Sequence, residues 1–220
     1  PSKYPAVQSS TSTGDVLMIE AYAAVPNLPA LSQSAENAGY FNALPDEDGT
    51  IRWAPLVMKF QGNAYPSLSV AVLMQYLDWP MSALRVAEYG IEGIRLGDID
   101  IPTDEVGRLL INYLGPARTF PHYSIADILK GRIPPEAFKG KIVLIGATAT
   151  GIYDLRVTPF STVYPGVEIH ATVIDNILHR NFLTYSGWIR FLDMCVIIAL
   201  GLLAGIALAT SHGGSYVPPV

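Results

Sequence analysis

The feature that most constrains this chain is an apolar run, with a single charged residue, near its C-terminal end. Residues 191–209 read "FLDMCVIIALGLLAGIALA", and the only charged side chain in these 19 residues is Asp193, near one end. At ~1.5 Å per residue such a helix is about 28 Å long, enough for a bilayer core of ~30 Å. We therefore predict a transmembrane helix over residues 191–209. The alternative is a buried core helix, which would normally be amphipathic.

Small residues recur within this run. Gly201, Gly205 and Ala209 are spaced four apart. A stripe of small residues allows two membrane helices to approach closely, so we predict packing along it against a sister span or a second protomer. The first case is internal to the chain and the second makes a homodimer. The alternative is the ordinary abundance of glycine in membrane helices.

The direction in which the run crosses the membrane is ambiguous. Arg180 and Arg190 precede it, and no Lys or Arg follows it. Taken literally, the positive-inside rule places the preceding domain in the cytoplasm, but long domains translocate largely regardless of charge.

Composition excludes several functions for the 220-residue chain. Its formal charge of −5 argues against nucleic acid as a partner. One cysteine, Cys195, permits neither a disulfide framework nor a cysteine metal site within one chain. The four histidines, at positions 122, 170, 179 and 212, show no metal-ligand spacing. We therefore predict no metal and no cofactor.

The first half of the chain reads as strands joined by tight turns. "GYFNAL" and "IRWAPLVMKF" flank Asp48-Gly49, and both residues of that pair tolerate a positive φ. This pattern predicts a β-hairpin with antiparallel strands. Pro66 then opens an apolar run that predicts a buried helix.

The second half predicts a crossover. "LLINYLG" reads as a strand, "SIADILKG" as a short helix and "KIVLIGA" as the clearest strand of the chain. A strand, a helix and a strand form a βαβ unit with parallel pairing. We therefore predict an α/β fold with a mixed parallel and antiparallel sheet, helices packed on it, and a transmembrane helix after it.

The loop after the "KIVLIGA" strand contains two glycines and several polar residues. Gly146 and Gly151 keep the spacing of a phosphate-binding loop, but the lysine that should follow the second glycine is absent. Thr148 and Asp154 crowd this strand end. The carboxyl ends of parallel strands are where α/β folds bind ligands, so both are candidate signal-sensing residues. A purely structural turn is the alternative.

His170 is the third candidate. On a helical wheel it lies at the centre of the apolar stripe of the helix over residues 167–179. The polar residues predicted to face the other way are Glu168, Thr172, Asp175 and His179. The pattern fits a core histidine with a satisfied hydrogen bond or a group that contacts a ligand. Thr148 and Asp154 are its expected partners.

Several stretches together resemble a known family. They are "LPDEDGTIRWAPLV", "YPSLSVAVL", "LLINYLGP" with "YSIADILKG", "FKGKIVLIGATATGIYDLRVTPF" and "YPGVEIHATVIDNIL". In this order they resemble the second class of CHASE domains, the cyclase- and histidine-kinase-associated sensory extracellular domains. The resemblance covers roughly residues 16–178, and the last two stretches are its most specific part.

The resemblance implies a receptor. It predicts a bacterial inner-membrane protein whose sensory domain lies in the periplasm or outside the cell. This domain would detect an unknown small-molecule or environmental signal and relay it through membrane helices to a cytoplasmic output domain, most often an adenylate or guanylate cyclase or a histidine kinase. Neither the output domain nor the first membrane helix of the family pattern appears in these residues, so the fragment itself is predicted not to be an enzyme.

On this reading the chain divides into four parts. Residues 1–183 form the N-terminally truncated sensory domain, residues 184–190 a linker, residues 191–209 the transmembrane helix, and residues 210–220 the start of a further loop or span. Two other functions fit the residues less well. One is a membrane-anchored hydrolase that uses Thr148 or Asp154, and the other is a scaffold that only dimerises.

Overall fold

A computed structural model describes residues 16–35, 37–78, 82–87, 90–148, 155–184 and 187–212. The chain forms two compact units, Pro1–Leu183 and Thr184–Val220, which are described separately. The strands of the first unit are β1 Trp53–Pro55, β2 Val57–Phe60, β3 Asn63–Pro66, β4 Ser82–Ala87, β5 Gly90–Leu96, β6 Ile99–Pro102, β7 Arg108–Leu110, β8 Leu155–Thr158 and β9 Ser161–Pro165. Its helices are α1 Pro29–Ser34, α2 Leu68–Tyr76, α3 Ile125–Leu129, a short 3₁₀ turn at Pro135–Ala137, and α4 Gly166–Leu178.

The strands form four small sheets. β4, β5 and β6 make an antiparallel meander, and β1 pairs with β7, β2 with β3, and β8 with β9. Every one of these pairings is antiparallel. Parallel pairing among the described residues occurs only as isolated bridges, between Glu20 and Lys59, Tyr40 and Ser67, and Thr50 and Val157. The predicted mixture of helices and strands is confirmed, but the described strands do not form a parallel sheet.

The predicted βαβ crossover is wrong in its pairing. β7 lies beside β1, and the structure assigns no strand to the "KIVLIGA" segment, residues 141–147. Exposure nevertheless alternates along it, since Ile142 and Leu144 pack on the core while Val143 and Ile145 are exposed. The segment therefore has the alternating exposure of a strand, but no described strand hydrogen-bonds to it.

The Asp48-Gly49 turn forms, although the predicted hairpin does not. Gly49 has a φ of 80°, and its N–H donates to the Asp46 carbonyl at 2.9 Å. Arg52 closes the turn by donating to Asp46 at 2.9 Å and to Asp48 at 2.7 Å. The chain before the turn forms no strand that pairs with β1, whose described partner is β7.

Two helices organise the core of the first unit. α2 packs against α4, and buried side chains from both helices and from the sheets meet there, including Leu73, Leu96, Leu109 and Ile177. α2 begins one residue after Ser67, whose hydroxyl accepts the N–H of Val70. The helix predicted after Pro66 is thus confirmed, with Pro66 itself at the end of β3.

The second unit contains α5, Gly187–His212. Within it, Phe191–Thr210 has a mean hydropathy of 2.5, and none of this stretch is buried inside the structure. A core helix of a soluble domain would be mostly buried, so this alternative loses its support. By length and composition α5 is a candidate membrane span. Gly201, Gly205 and Ala209 are exposed along it, and their packing partner stays a prediction.

Candidate functional site

A cavity of about 210 Å³ lies where the N-terminal ends of α2 and α4 approach β1. The segments at residues 41–43 and 145–146 and one residue of β8 complete its wall. The lining residues are Phe41, Asn42, Ala43, Ile51, Trp53, Ala54, Pro55, Ser67, Leu68, Ser69, Ile145, Gly146, Arg156, Gly166, Val167, Ile169, His170 and Val173.

The polar side chains of this wall come from α2, α4, β8 and the segment at residues 41–43, which supplies Asn42. His170 on α4 has its Nδ1 atom 2.9 Å from the Ser69 Oγ on α2, so one hydrogen bond joins the two helices. Arg156 enters the wall from β8, and its Nε atom is buried. No acidic side chain is among the described lining residues. The cavity is therefore apolar over most of its wall and carries positive charge at one place.

A glycine allows the cavity wall to close. A Cβ atom placed on Gly146 would lie 2.6 Å from the Cβ of Val167, inside the distance that real Cβ atoms keep. Only glycine therefore lets residues 145–146 lie against the first turn of α4 without displacement. Gly146, one of the two glycines with the spacing of a phosphate-binding loop, therefore has a packing role here.

The three candidate residues fall in different places. His170 lines the cavity, and the hydrogen-bond partner shown for it is Ser69, 101 residues earlier in the chain, rather than Thr148. Thr148 is exposed and is not among the residues that line the cavity. Asp154 lies outside the described residues, as does Gly151 of the predicted loop.

The predicted orientation of α4 is wrong for two residues. Glu168 and Thr172, predicted to face outward, are 2% and 0% exposed, whereas His170 is only half-buried. The reason is that α4 is covered on more than one side. Its polar residues meet the backbone of a neighbouring segment, and this burial of polar groups cannot be read from an apolar stripe.

The buried polar residues of α4 form a ladder, which we call the polar face: Glu168, Thr172 and Asn176, spaced one helical turn apart. Asn176 uses its whole amide on one residue, since its Oδ1 accepts the N–H of Asn112 at 2.9 Å and its Nδ2 donates to the carbonyl of Asn112 at 3.0 Å. Thr172 donates to the carbonyl of Glu168 at 2.9 Å.

The carboxylate of Glu168 holds a loop. It accepts the N–H of Arg118 at 2.9 Å and the N–H of Phe120 at 3.4 Å, and His122 Nε2 lies 3.9 Å away. A carboxylate in the first turn of a helix is also favoured by the helix dipole. Burying this charge is therefore compensated by hydrogen bonds that shape residues 118–122.

Tyr164 contacts the polar face at its middle residue, Thr172. Its hydroxyl lies 3.4 Å from the Thr172 Oγ1, and the side chain is 1% exposed. Burial raises the pKa of the Tyr164 phenol, with a smaller opposing effect of the Thr172 hydrogen bond and a further increase from the nearby Glu168 charge. Burial likewise raises the pKa of Tyr113, whose ring packs edge-on against Tyr164.

Sequence reasoning singled out only Gly146 and His170 among the lining residues and missed, among others, Ser69, Arg156 and Trp53. Ser69 is a polar residue inside the otherwise apolar start of α2, and Arg156 is the one cation of the short strand β8. Trp53 lies in the segment for which the sequence predicted only a hairpin strand. The guanidinium carbon of Arg108 lies 5.2 Å from the centroid of its ring. No local pattern marks Ser69 or Arg156, because each is an ordinary residue of its own element.

The residues that the structure describes include no group of three His, Cys, Asp or Glu side chains placed to hold a metal ion. The site is thus a cavity with a hydroxyl–imidazole pair and a guanidinium. Such a wall can bind a small molecule through directed hydrogen bonds and charge.

Comparison with known families gives this geometry its context. A family of extracellular sensory domains, which are not catalytic, matches residues 4–206. The chain belongs to this family, the CHASE2 domains, and the resemblance found in the sequence is confirmed. No curated protein and no solved structure matches the chain.

Proposed function

We propose that this chain is the sensory part of a bacterial inner-membrane receptor, with its first unit on the outer side of the membrane. The observation that carries the proposal is the extent of the family match, which runs from the cavity-bearing unit into the candidate membrane span of α5. A sensory domain followed by a span is the arrangement needed to carry a signal across a bilayer. The signal is a small molecule that binds in the cavity between α2 and α4.

The receptor ends in a cytoplasmic output domain, an adenylate or guanylate cyclase or a histidine kinase. The family resemblance supports this part of the proposal. The receptor acts as a homodimer that packs along Gly201, Gly205 and Ala209, because a stripe of small residues supports close helix packing in a membrane.

The relay begins at α4, since this helix contributes His170 to the cavity wall. α4 ends at Leu178, so it does not continue as a helix into the span. Its end is held by Arg180, which donates to Asp98 at 2.6 Å, and by the N–H of Asn181, which donates to the Asn176 carbonyl at 2.9 Å. A ligand that favours one position of α4 would shift a two-state equilibrium, for which a coupling of about 1–3 kcal/mol suffices.

The experiment that tests this function is the accessibility of single cysteines in intact bacteria. All native cysteines of the full-length receptor, Cys195 among them, are replaced by serine, and a cysteine is introduced by Lys130→Cys, at an exposed position at the end of α3. The matched variant is Gly213→Cys, which follows the candidate span in the sequence. A membrane-impermeant maleimide should label Lys130→Cys in intact cells and Gly213→Cys only after lysis. Labelling in the reverse pattern would show that the first unit is cytoplasmic and would overturn the proposal.

A further inference from the structure

We propose that the cavity binds a small organic monoanion, a carboxylate with a compact apolar body. This inference rests on the proposed sensory function and names the chemical class of its signal.

Size limits the ligand first. An apolar cavity of about 150 Å³ is enough for benzene, and drug-sized ligands occupy roughly 300–1,000 Å³. The present cavity, of about 210 Å³, therefore has room for a six-membered ring or a branched chain together with one carboxylate. A nucleotide or a disaccharide is too large.

Charge selects an anion. Arg156 is the one side chain with a permanent charge among the described lining residues, and none of them is acidic. A guanidinium has five N–H donors, so it can hold a carboxylate in addition to other partners. The first residues of both α2 and α4 also lie in the wall, and the N-terminal end of each helix carries a partial positive charge.

The hydroxyl–imidazole pair provides the second polar contact. Ser69 Oγ and His170 Nδ1 are 2.9 Å apart. When Nδ1 carries the proton, the imidazole donates to the hydroxyl oxygen, and the hydroxyl hydrogen is then available to a ligand oxygen. The pair thus presents a donor to the cavity in one tautomer, which suits a carboxylate.

The remaining wall suits the apolar body of the ligand. Ile169 and Val173 are 4% and 1% exposed and belong to the core, and Trp53 adds an aromatic surface. A charged group at one part of the wall and apolar side chains elsewhere favour an amphipathic anion over inorganic phosphate or sulfate, which would leave these side chains without a partner.

The test uses benzoate as probe and benzamide as its neutral isostere, with the 220-residue chain in lipid nanodiscs and empty nanodiscs as the blank. Isothermal titration calorimetry should give saturable binding of benzoate and at least tenfold weaker binding of benzamide. Benzoate should also change the tryptophan emission, and Trp53→Phe should remove most of that change, which locates the probe.

A variant of Arg156 then tests whether its guanidinium binds the carboxylate of the probe. Arg156→Gln should weaken benzoate binding at least tenfold and leave benzamide binding within twofold. Because the anion and its isostere are compared on the unaltered protein, the test does not depend on the folding of that variant. Equal affinity for the two probes, or no saturable binding of benzoate, overturns the inference. Cysteine labelling tests on which side of the membrane the first unit lies, and it does not depend on benzoate binding. A failure of the ligand inference can therefore be distinguished from a failure of the proposed function.

Discussion

The two sides of α4 use polar residues in opposite ways. On the polar face, Glu168, Thr172 and Asn176 are almost completely buried, and most of their hydrogen bonds go to backbone groups of the same unit. On the cavity side, His170 is half-buried and pairs with one hydroxyl beside an open volume. Polar groups that are fully engaged with the backbone fix a fold, whereas polar groups beside a cavity can still exchange partners with a ligand. The first side should therefore govern stability, and the second should govern binding.

The largest effect is expected from Asn176→Ala on the polar face. It removes two hydrogen bonds and leaves the N–H and carbonyl of Asn112 without them, so we expect the free energy of unfolding to fall by about 2–3 kcal/mol. A urea titration of the chain in nanodiscs, followed by tryptophan emission, measures this loss. The matched control is Asn181→Ala, an exposed asparagine just after the same helix, which should change the free energy by less than about 0.5 kcal/mol. Equal losses in the two variants would contradict the stabilising role of the polar face.

A smaller effect on the same face should appear in alkali. The pKa of Tyr164 is raised above its value of about 10 in the unfolded chain, so above that pH the folded state retains a proton that the unfolded state has lost. Stability is therefore fully present below about pH 10 and falls as the pH rises further, by at most about 1.4 kcal/mol per pH unit for one such group.

This pH dependence is measured by repeating the urea titration between pH 8 and pH 12. Tyr164→Phe should make the alkaline decrease shallower, and Tyr113, also buried with a raised pKa, should account for part of the remainder. The control is Tyr123→Phe, since Tyr123 is 44% exposed and its replacement should leave the slope unchanged. An unaltered slope in Tyr164→Phe would show that its phenol does not titrate with unfolding.

The smallest effect on stability is expected on the cavity side. His170→Gln keeps a side chain able to reach Ser69, so the free energy of unfolding should change by less than about 1 kcal/mol. The double variant with Ser69→Ala isolates the energy of the pair. A loss of 2 kcal/mol or more in His170→Gln would instead identify a core histidine, the alternative that the helical wheel allowed.

The parts of the fold that depend on local chemistry could be predicted. The helix at residues 166–178, the helix after Pro66 and the turn at Gly49 follow from periodicity and turn residues, which act within a few positions of the chain. The strand predicted at residues 141–147 failed because a continuous apolar run indicates burial and not whether a neighbouring strand is present to pair with it.

The candidate site was predictable only in part. His170 was found because a histidine in an apolar stripe is conspicuous, and it does line the cavity. Ser69 and Arg156 were not found, since they are ordinary residues in their own elements and gain meaning only where α2, α4 and β8 meet. Asp154 and Thr148 remain predictions as signal-sensing residues.

By itself, the sequence determined the family, the apolar helix at residues 191–209 and the existence of α4, because these depend on residue order, hydropathy and helical period. Only the tertiary structure decided which side of α4 carries the structural polar groups. Glu168 and Asn176 could be buried because the backbone at Arg118 and Asn112 lies within hydrogen-bond distance of them. These partners are 50 and 64 positions away along the chain, so only the packing of the unit brings them together. The cost of burying a polar group depends on its partner in space, which no local pattern specifies.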